Sequence, residues 1–517
     1  PAAARAREPA LPARLARPKG QKIMSRLVPR LVKGFKDAPA ASLHARRRMV
    51  ETVRRVYESF GFEALETPAV EYVETLGKFL PESDQPDAGI FAFKDADEQW
   101  IALRYDLTAP LSRYVAQHFQ TLPLPFRRYQ IGSVFRNEKP GPGRFREFTQ
   151  FDVDTVGSSS MVADAENCAV LARALGALGL EGQVRIAVNN RKILDGVLER
   201  AGLGQPSVDP QAMTALRAID KFDKFGAEGV RLLLTGGRKD ESGDFTKGAG
   251  LTDAQAGMIL AFMASGQTSR RATCAALADA VKGSARGEEG VRELDEIAAL
   301  LDAMNLDDAT VAFDPGIVRG LAYYTGPVLE AQVTFEIADE DGRPRQFGSV
   351  AGGGRYDGLV GRFLDKELPA TGVSIGVDRL IAALEAAGRI GNGKGEAGPV
   401  LIVAFDRTRM ADYVRIAEEL RAAGIAAEIF LGEGGMKPQL RYADRKGAPV
   451  AVIAGGDEFA AGTVSVKNLV LGAEIAAATA TGSHEEWRAA AKARAQVTVP
   501  RAELAATVRA MLAESAQ

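Results

Sequence analysis

At 517 residues, 46% hydrophobic and 26% charged, the chain is long enough to bury several cores, in roughly two to four domains. A formal net charge of −2 excludes a uniformly cationic nucleic-acid binder, although local basic patches on a neutral protein still hold phosphates. Two distant cysteines, Cys168 and Cys274, and three scattered histidines, His44, His118 and His484, argue against a disulfide framework, a structural zinc and a histidine metal centre.

No run of about 18 apolar residues is present, so no membrane span is expected and a cytoplasmic protein is the default. Residues 1–30 begin with an Ala, Arg and Pro-rich stretch whose first 23 positions hold Glu8 as their one acid. An organelle leader has such a composition. Pro1, Pro9, Pro12 and Pro18 break the amphipathic helix it would need, so a disordered extension is predicted, and Met24 is an alternative start. Apolar spacing (Leu43, Met49, Val53, Val56, Tyr57, Phe60) predicts a helix from Ser42 to Phe60 with Gly61 as its stop. Two strands, Phe126–Glu138 and Arg144–Val156, are expected around the loop Lys139-Pro140-Gly141-Pro142-Gly143. Helical patterning runs from Pro206 to Ala299, with a glycine-rich interruption at Leu234–Gly250. Strand character returns at Ala312–Ile337, before an acidic turn at Asp339–Gly342. The strongest boundary is Gly391–Gly398, and beyond it strands at Val400–Phe405, Ala427–Leu431 and Val450–Ala454 alternate with helices at Arg409–Ala423 and Lys437–Arg445. That βαβαβ order predicts a small domain with a mainly parallel sheet.

Four segments carry chemistry. In Phe135–Glu138 and Phe148–Asp154, strand alternation sets Arg136 with Glu138, and Phe148 with Gln150 and Asp154. One face then offers a guanidinium for phosphate, an aromatic ring for a purine, and amide and carboxylate groups for an amino acid. A surface hairpin laced with ion pairs fits those residues at least as well when they are taken alone. The run from Val373 to Leu380 reads as a strand, a close-approach Gly376 and a helix bearing Arg379. Arg379 suits adenine stacking or phosphate, or a plain salt bridge to Asp378. Gly352-Gly353-Gly354 suggests backbone packed against a ligand or a strand, or a tight turn. Arg319, Tyr323 and Tyr324 in Val318–Gly326 suit a charged transition state and a flat polar side chain, or an ordinary core edge.

Together these strings resemble motifs 2 and 3 of the class II aminoacyl-tRNA synthetases. "RGLAYYTG" and "GGGRYDGL" are similar to two motifs peculiar to the histidyl-tRNA synthetase family. The likeness runs from about Leu31 to the C-terminus. It implies an α/β chain with an α+β catalytic domain, whose antiparallel sheet is flanked by helices, a helical insertion and a C-terminal α/β anticodon-binding domain. The implied divisions are 31–205 and 300–390 for the catalytic domain, 206–299 for an insertion against the acceptor arm, and 399–517 for anticodon binding. The implied activity is ATP-dependent attachment of L-histidine to histidine tRNA, with Mg²⁺ accompanying ATP, by a homodimer whose interface includes Glu63–Val73.

By the same resemblance the histidine pocket comprises Asp106, Thr108, Arg136, Gln150, Asp154, Arg319, Tyr323 and Tyr324. ATP falls to Arg136, Glu138, Arg144, Phe148 and Arg379, and Arg136 and Arg319 are catalytic. Lys437, Arg441, Arg445 and Lys446 suit tRNA phosphates. Two positions depart from the family: Ala322 stands where Asp is usual, and Gly141 where Gln is usual. The main rival is a regulatory paralogue, which lacks an anticodon-binding domain. A synthetase for another amino acid is a further alternative.

Overall fold

The computed structural model describes residues 28–76, 89–139, 145–206, 208–239, 243–318, 324–338, 344–389, 397–478 and 495–515. Its principal sheet has eight strands: β1 (Glu63–Ala64), β2 (Phe126–Phe135), β3 (Glu147–Val156), β4 (Val184–Asn190), β5 (Val311–Phe313), β6 (Pro327–Ala338), β7 (Pro344–Arg355) and β8 (Ala370–Gly376). They lie in the order β1-β2-β3-β8-β7-β6-β4-β5. Both edge strands pair in parallel, and every pair between β2 and β4 is antiparallel. The expected antiparallel sheet is present.

Register explains why one face is core and the other a cleft. Along one transverse row Phe151, Ile375, Ala351, Ala331 and Ile186 stand side by side, and along the next Val153, Val373, Gly353, Leu329 and Val188. The apolar members of both rows belong to the main core, where a buried Val, Leu, Ile or Phe contributes about 1.5–3 kcal/mol. The helix Met161–Leu175 belongs to the same core through Ala165, Leu171 and Leu175. Successive side chains alternate between faces, so the neighbouring rows point the other way. One reads Gln130, Asp152, Ser374, Gly352 and Glu330, the other Arg128, Asp154, Gly372, Gly354 and Val328. Small residues at the centre of those rows leave room above the sheet.

The helix predicted from Ser42 spans Ala40–Ser59, and Gly61 beyond it takes a φ of +79°, a left-handed stop that glycine adopts without a Cβ clash. The strands of the hairpin are shorter than expected, ending at Phe135 and resuming at Glu147. Past Phe135 the backbone turns to other partners: Asn137 N–H donates to Gly89 O at 2.9 Å. The glycine triplet lies within β7, so the tight-turn alternative is excluded. Its close approach is at Gly353, where an added Cβ would sit 2.1 Å from Gly372 O. At Gly376 the nearest atom would be Val350 O at 3.6 Å, so the close approach expected there is instead at Gly353 and Gly372.

Between β4 and β5 the chain is helical as expected, from Pro210–Ile219 through Ala285–Ala303, and the glycine-rich interruption holds a hairpin of Gly237–Lys239 and Phe245–Lys247. The acidic turn expected at Asp339–Gly342 lies outside the described residues, although β6 and β7 pair up to Ala338 and Pro344 on either side of it. The C-terminal sheet joins β9 (Val400–Val403), β10 (Ala427–Ile429), β11 (Val450–Ile453), β12 (Thr463–Asn468) and β13 (Gln496–Pro500), in the order β10-β9-β11-β12-β13. Its first three strands are parallel, and β12 and β13 add antiparallel pairs, so this sheet is mixed where a mainly parallel one was expected. Alternating polar residues such as Thr463, Ser465 and Lys467 make β12 read unlike the all-apolar β11 beside it. Among the described residues no helix is long and apolar enough to cross a membrane.

Gly353→Ala forces its methyl group against the backbone of β8 and is expected to cost about 1–3 kcal/mol. Gly352→Ala meets nothing closer than Leu329 O at 3.5 Å and is expected to melt near the wild type. Equal losses in thermal denaturation would contradict this assignment of the two faces.

Candidate active site

A cleft of about 1360 Å³ opens over the face of Asp152, Asp154, Ser374, Gly352 and Glu330. Asp106, Thr108, Arg136, Phe148, Gln150, Asp154, Tyr324 and Arg379, singled out from sequence, all line it. Glu138 is exposed outside that lining and is tied to it by the Tyr105 hydroxyl, which donates to Glu138 Oε1 at 3.0 Å. Arg144, Arg319 and Tyr323 lie outside the described residues, as do Gly141 and Ala322. Val318 and Tyr324, which flank 319–323, both line the cleft.

The floor is acidic and buried. Asp154 is 2% exposed and pairs with Arg128, itself 0% exposed, at 2.8 Å. The Tyr356 hydroxyl donates to the other carboxylate oxygen. Arg128 also donates to Leu107 O at 3.0 Å. Gly372 makes the arrangement possible, because a Cβ there would fall 2.0 Å from Asp154 Oδ1. Burial raises the Asp154 carboxyl above its ordinary range, opposed by Arg128 and the Tyr356 hydrogen bond. Burial likewise pushes Asp152 up to about 7, opposed by Arg128 and reinforced by Asp154. Next along the strand, Gln150 Nε2 donates to Ser374 Oγ at 2.7 Å. Its Oε1 is buried with no hydrogen-bond partner among the described residues.

One wall comes from the start of the helix Thr108–His118. Asp106 Oδ1 accepts the backbone N–H groups of Thr108 and Ala109 at 3.1 and 2.9 Å. Burial raises its carboxyl, while the Ala109 N–H and the Arg136 charge act against the rise. Arg136 lies between two rings, 4.4 Å from the Tyr105 centroid and 5.1 Å from that of Phe148. Its Nε donates to Tyr105 O at 3.4 Å. Contacts of this kind hold a guanidinium in place at the wall of the cleft. Arg379 is exposed at the cleft's edge and donates to Phe347 O at 3.4 Å. Asp378 is engaged elsewhere, accepting Thr149 N–H at 2.8 Å and Lys36 Nζ at 2.9 Å. Arg355 of the glycine-rich string is structural: it is buried and paired with Asp164.

Sequence reading passed over Tyr105, Arg128, Asp152, Glu330, Tyr356 and Ser374 as site residues. Asp152 had a signal, since the alternation that groups Phe148, Gln150 and Asp154 includes it. Arg128 and Ser374 become visible only through register, opposite Asp154 and Asp152.

Comparison with known proteins accords with this geometry. The histidyl-tRNA synthetase family matches residues 34–380, and the anticodon binding domain family matches residues 399–511. The histidine–tRNA ligase of Paracoccus denitrificans is 55% identical over 504 residues, covering 96% of this chain and 99% of that protein. The crystal structure of histidyl-tRNA synthetase from Nostoc sp. PCC 7120 superposes with a TM-score of 0.70 at 29% identity, covering 94% of this chain and 99% of that one. A structure named ATP phosphoribosyltransferase regulatory subunit/histidyl-tRNA synthetase, from Bacillus halodurans, shares the fold at 22% identity and a TM-score of 0.62, over 82% of this chain and 98% of that one.

The raised Asp152 carboxyl has a pH signature. Between its ordinary value of 3.8 and about 7 the folded protein holds a proton that the unfolded chain has released. Its contribution to stability therefore falls as pH rises through that window and is flat above it. Asp152→Asn is expected to gain stability relative to the wild type as pH rises from about 4 to about 7, followed as a difference in melting temperature. A difference that does not change with pH would refute the raised carboxyl.

Proposed function

The chain belongs to the histidyl-tRNA synthetase family, and from that premise we propose how its residues divide the work. It is a histidine–tRNA ligase, which uses ATP to convert L-histidine to histidyl-adenylate. It then transfers the histidyl group to the 3′-terminal adenosine of histidine tRNA, releasing AMP and pyrophosphate in the overall reaction.

In our reading Asp106 receives the histidine ammonium and Thr108 helps orient it. Gln150, Asp154, Tyr323 and Tyr324 surround the imidazole, and Gln150 Oε1, buried with no hydrogen-bond partner among the described residues, supplies an acceptor. A pocket of buried polar groups discriminates well, because an amino acid lacking the ring N–H leaves those groups unsatisfied. Glu138, Phe148 and Arg379 hold adenine, Arg144 lies near the outer phosphates, and Mg²⁺ enters as part of the ATP substrate. The carboxylate oxygen of histidine attacks the α-phosphorus in line, the bond to the β-phosphate oxygen breaks, and pyrophosphate leaves. Charge grows on the α-phosphate oxygens, which Arg136 and Arg319 offset. The observation that carries this reading is Arg136 stacked between Tyr105 and Phe148 beside Asp106: a fixed cation lies between an acidic end for an amine and an aromatic end for a purine.

The divisions 31–205 with 300–390, 206–299 and 399–517 then act as catalytic, acceptor-arm and anticodon-binding parts, behind an extension at 1–30. Lys437, Arg441, Arg445 and Lys446 face tRNA phosphates. The enzyme works in the cytoplasm as a homodimer joined around Glu63–Val73. A regulatory paralogue is disfavoured by the anticodon-binding match at 399–511.

Histidine-dependent ATP–pyrophosphate exchange is expected without tRNA, and no other amino acid should support it. Arg319→Ala is expected to lower kcat about 100–1000-fold with smaller changes in either KM. An effect confined to the KM for histidine would remove Arg319 from the transition state. For the tRNA, Gly141 offers no side chain where the family's glutamine offers a donor and an acceptor to the extra 5′ guanylate. Transcripts with and without that nucleotide are expected to be charged alike. A loss above about tenfold in kcat/KM on its removal, roughly 1.4 kcal/mol, would mean that other loop atoms read it.

A further inference from the structure

We propose that the strap formed by residues 33–37 positions the adenine end of the ATP site, with Lys36 as its positioning residue. The proposal rests on the assignment of Glu138, Phe148 and Arg379 to adenine. No residue of the strap lines the cleft among the described residues, so any effect on the nucleotide passes through other side chains.

Each end of the strap is tied to a neighbour of that trio. Arg146 N–H donates to Gly34 O at 2.8 Å, and Arg146 Nε donates to Glu138 O at 3.0 Å. One arginine thus links the strap to Glu138 across the base of the hairpin loop. Gly34 has a φ of +88°, and a Cβ there would lie 2.8 Å from Arg146 Cγ, so both backbone and space call for glycine. Phe35 anchors the middle of the strap edge-on to Phe91, with centroids 6.0 Å apart.

Lys36 makes the decisive link. Its ammonium lies 4.1 Å over the Phe145 ring and 2.9 Å from Asp378 Oδ1. Asp378 Oδ2 accepts the Thr149 N–H at 2.8 Å, and Arg46 donates to the Thr149 hydroxyl. Asp378 immediately precedes Arg379, and Thr149 immediately follows Phe148. The carboxylate therefore joins the backbone of the purine-facing strand to the helix that carries Arg379, and Lys36 supplies its cation. The Asp378 side chain is 16% exposed, so its pairing is only partly screened by water.

The test is histidine-dependent pyrophosphate exchange on the full chain, with KM measured for ATP and for histidine. Lys36→Met is expected to raise the KM for ATP about fivefold, on the scale of a partly exposed ion pair of about 1 kcal/mol, and to leave the KM for histidine within about twofold. Lys36→Arg keeps the cation and is expected to restore the ATP value. Arg379→Ala serves as the control on the adenine assignment. If Arg379→Ala raises the ATP KM and Lys36→Met does not, the strap proposal fails and the assignment stands. If neither changes it, the assignment fails and the strap proposal with it. Equal rises in both KM values for Lys36→Met, or a melting temperature lowered as much by Lys36→Arg as by Lys36→Met, would make Lys36 a general structural residue and overturn the proposal.

Discussion

The buried carboxylate of Asp154 is the constraint around which the active site is arranged. Withdrawing a charge from water costs several kcal/mol unless partners replace the solvent. Here the partners come from separate parts of the fold: Arg128 on β2, Tyr356 just past β7, and the missing side chain of Gly372 on β8. Each can act only if β2, β3, β7 and β8 share one register. A slip of one residue would turn Asp154 toward the side occupied by Phe151 and Val153, deep in the main core. The polar site and the apolar core therefore specify the same alignment from opposite faces of the sheet.

The charge balance follows from that placement. Arg128 acts on both Asp152 and Asp154, so one guanidinium offsets two carboxylates that repel each other. Burial works against both charges: it raises the Asp154 carboxyl and lifts Asp152 to about 7. With Asp106 and Glu330 also lining the cleft, this end suits a ligand that brings an amine and ring N–H donors. Arg136 lies at the margin of the acidic floor, between two aromatic rings that hold it without neutralising it. A cation held by aromatic rings next to an acidic pocket fits an enzyme that must hold an amine at one end and stabilise anionic phosphate charge at the other.

Much of this was legible in the sequence, and what was not has a common cause. Period-two alternation within one strand sufficed to group Phe148, Gln150 and Asp154, and motif strings supplied Asp106, Tyr324 and Arg379. Alternation is local, however, and the identity of Asp154's partners is not. Arg128 is 26 positions upstream of Asp154 and Gly372 is 218 downstream, and each meets it only through strand pairing. Glycine was ambiguous for the same reason. Nothing local distinguishes Gly376, which has ordinary space around it, from Gly372, which gives way to a carboxylate. In the C-terminal sheet the parallel βαβαβ core was visible as apolar runs. The antiparallel strands that complete it, Thr463–Asn468 and Gln496–Pro500, are half polar and lack that signal.

The extent of the strands also separates two kinds of precision within the site. Gln150, Asp152 and Asp154 stand on a ladder whose hydrogen bonds continue on both sides, so their positions are set by the whole sheet. Arg136 and Glu138 lie past Phe135, where the ladder has ended, and alternation no longer dictates where they point. Their placement depends on a few discrete ties: Arg136 N–H to Arg146 O at 2.8 Å, Asn137 N–H to Gly89 O at 2.9 Å and Tyr105 to Glu138. Local ties open more readily than a central ladder. The part of the proposed histidine pocket formed by Gln150 and Asp154 therefore stands on the rigid element. Arg136 and Glu138, which the proposal gives to the nucleotide, stand where the backbone is held by fewer ties, whereas Phe148 shares the ladder with Gln150.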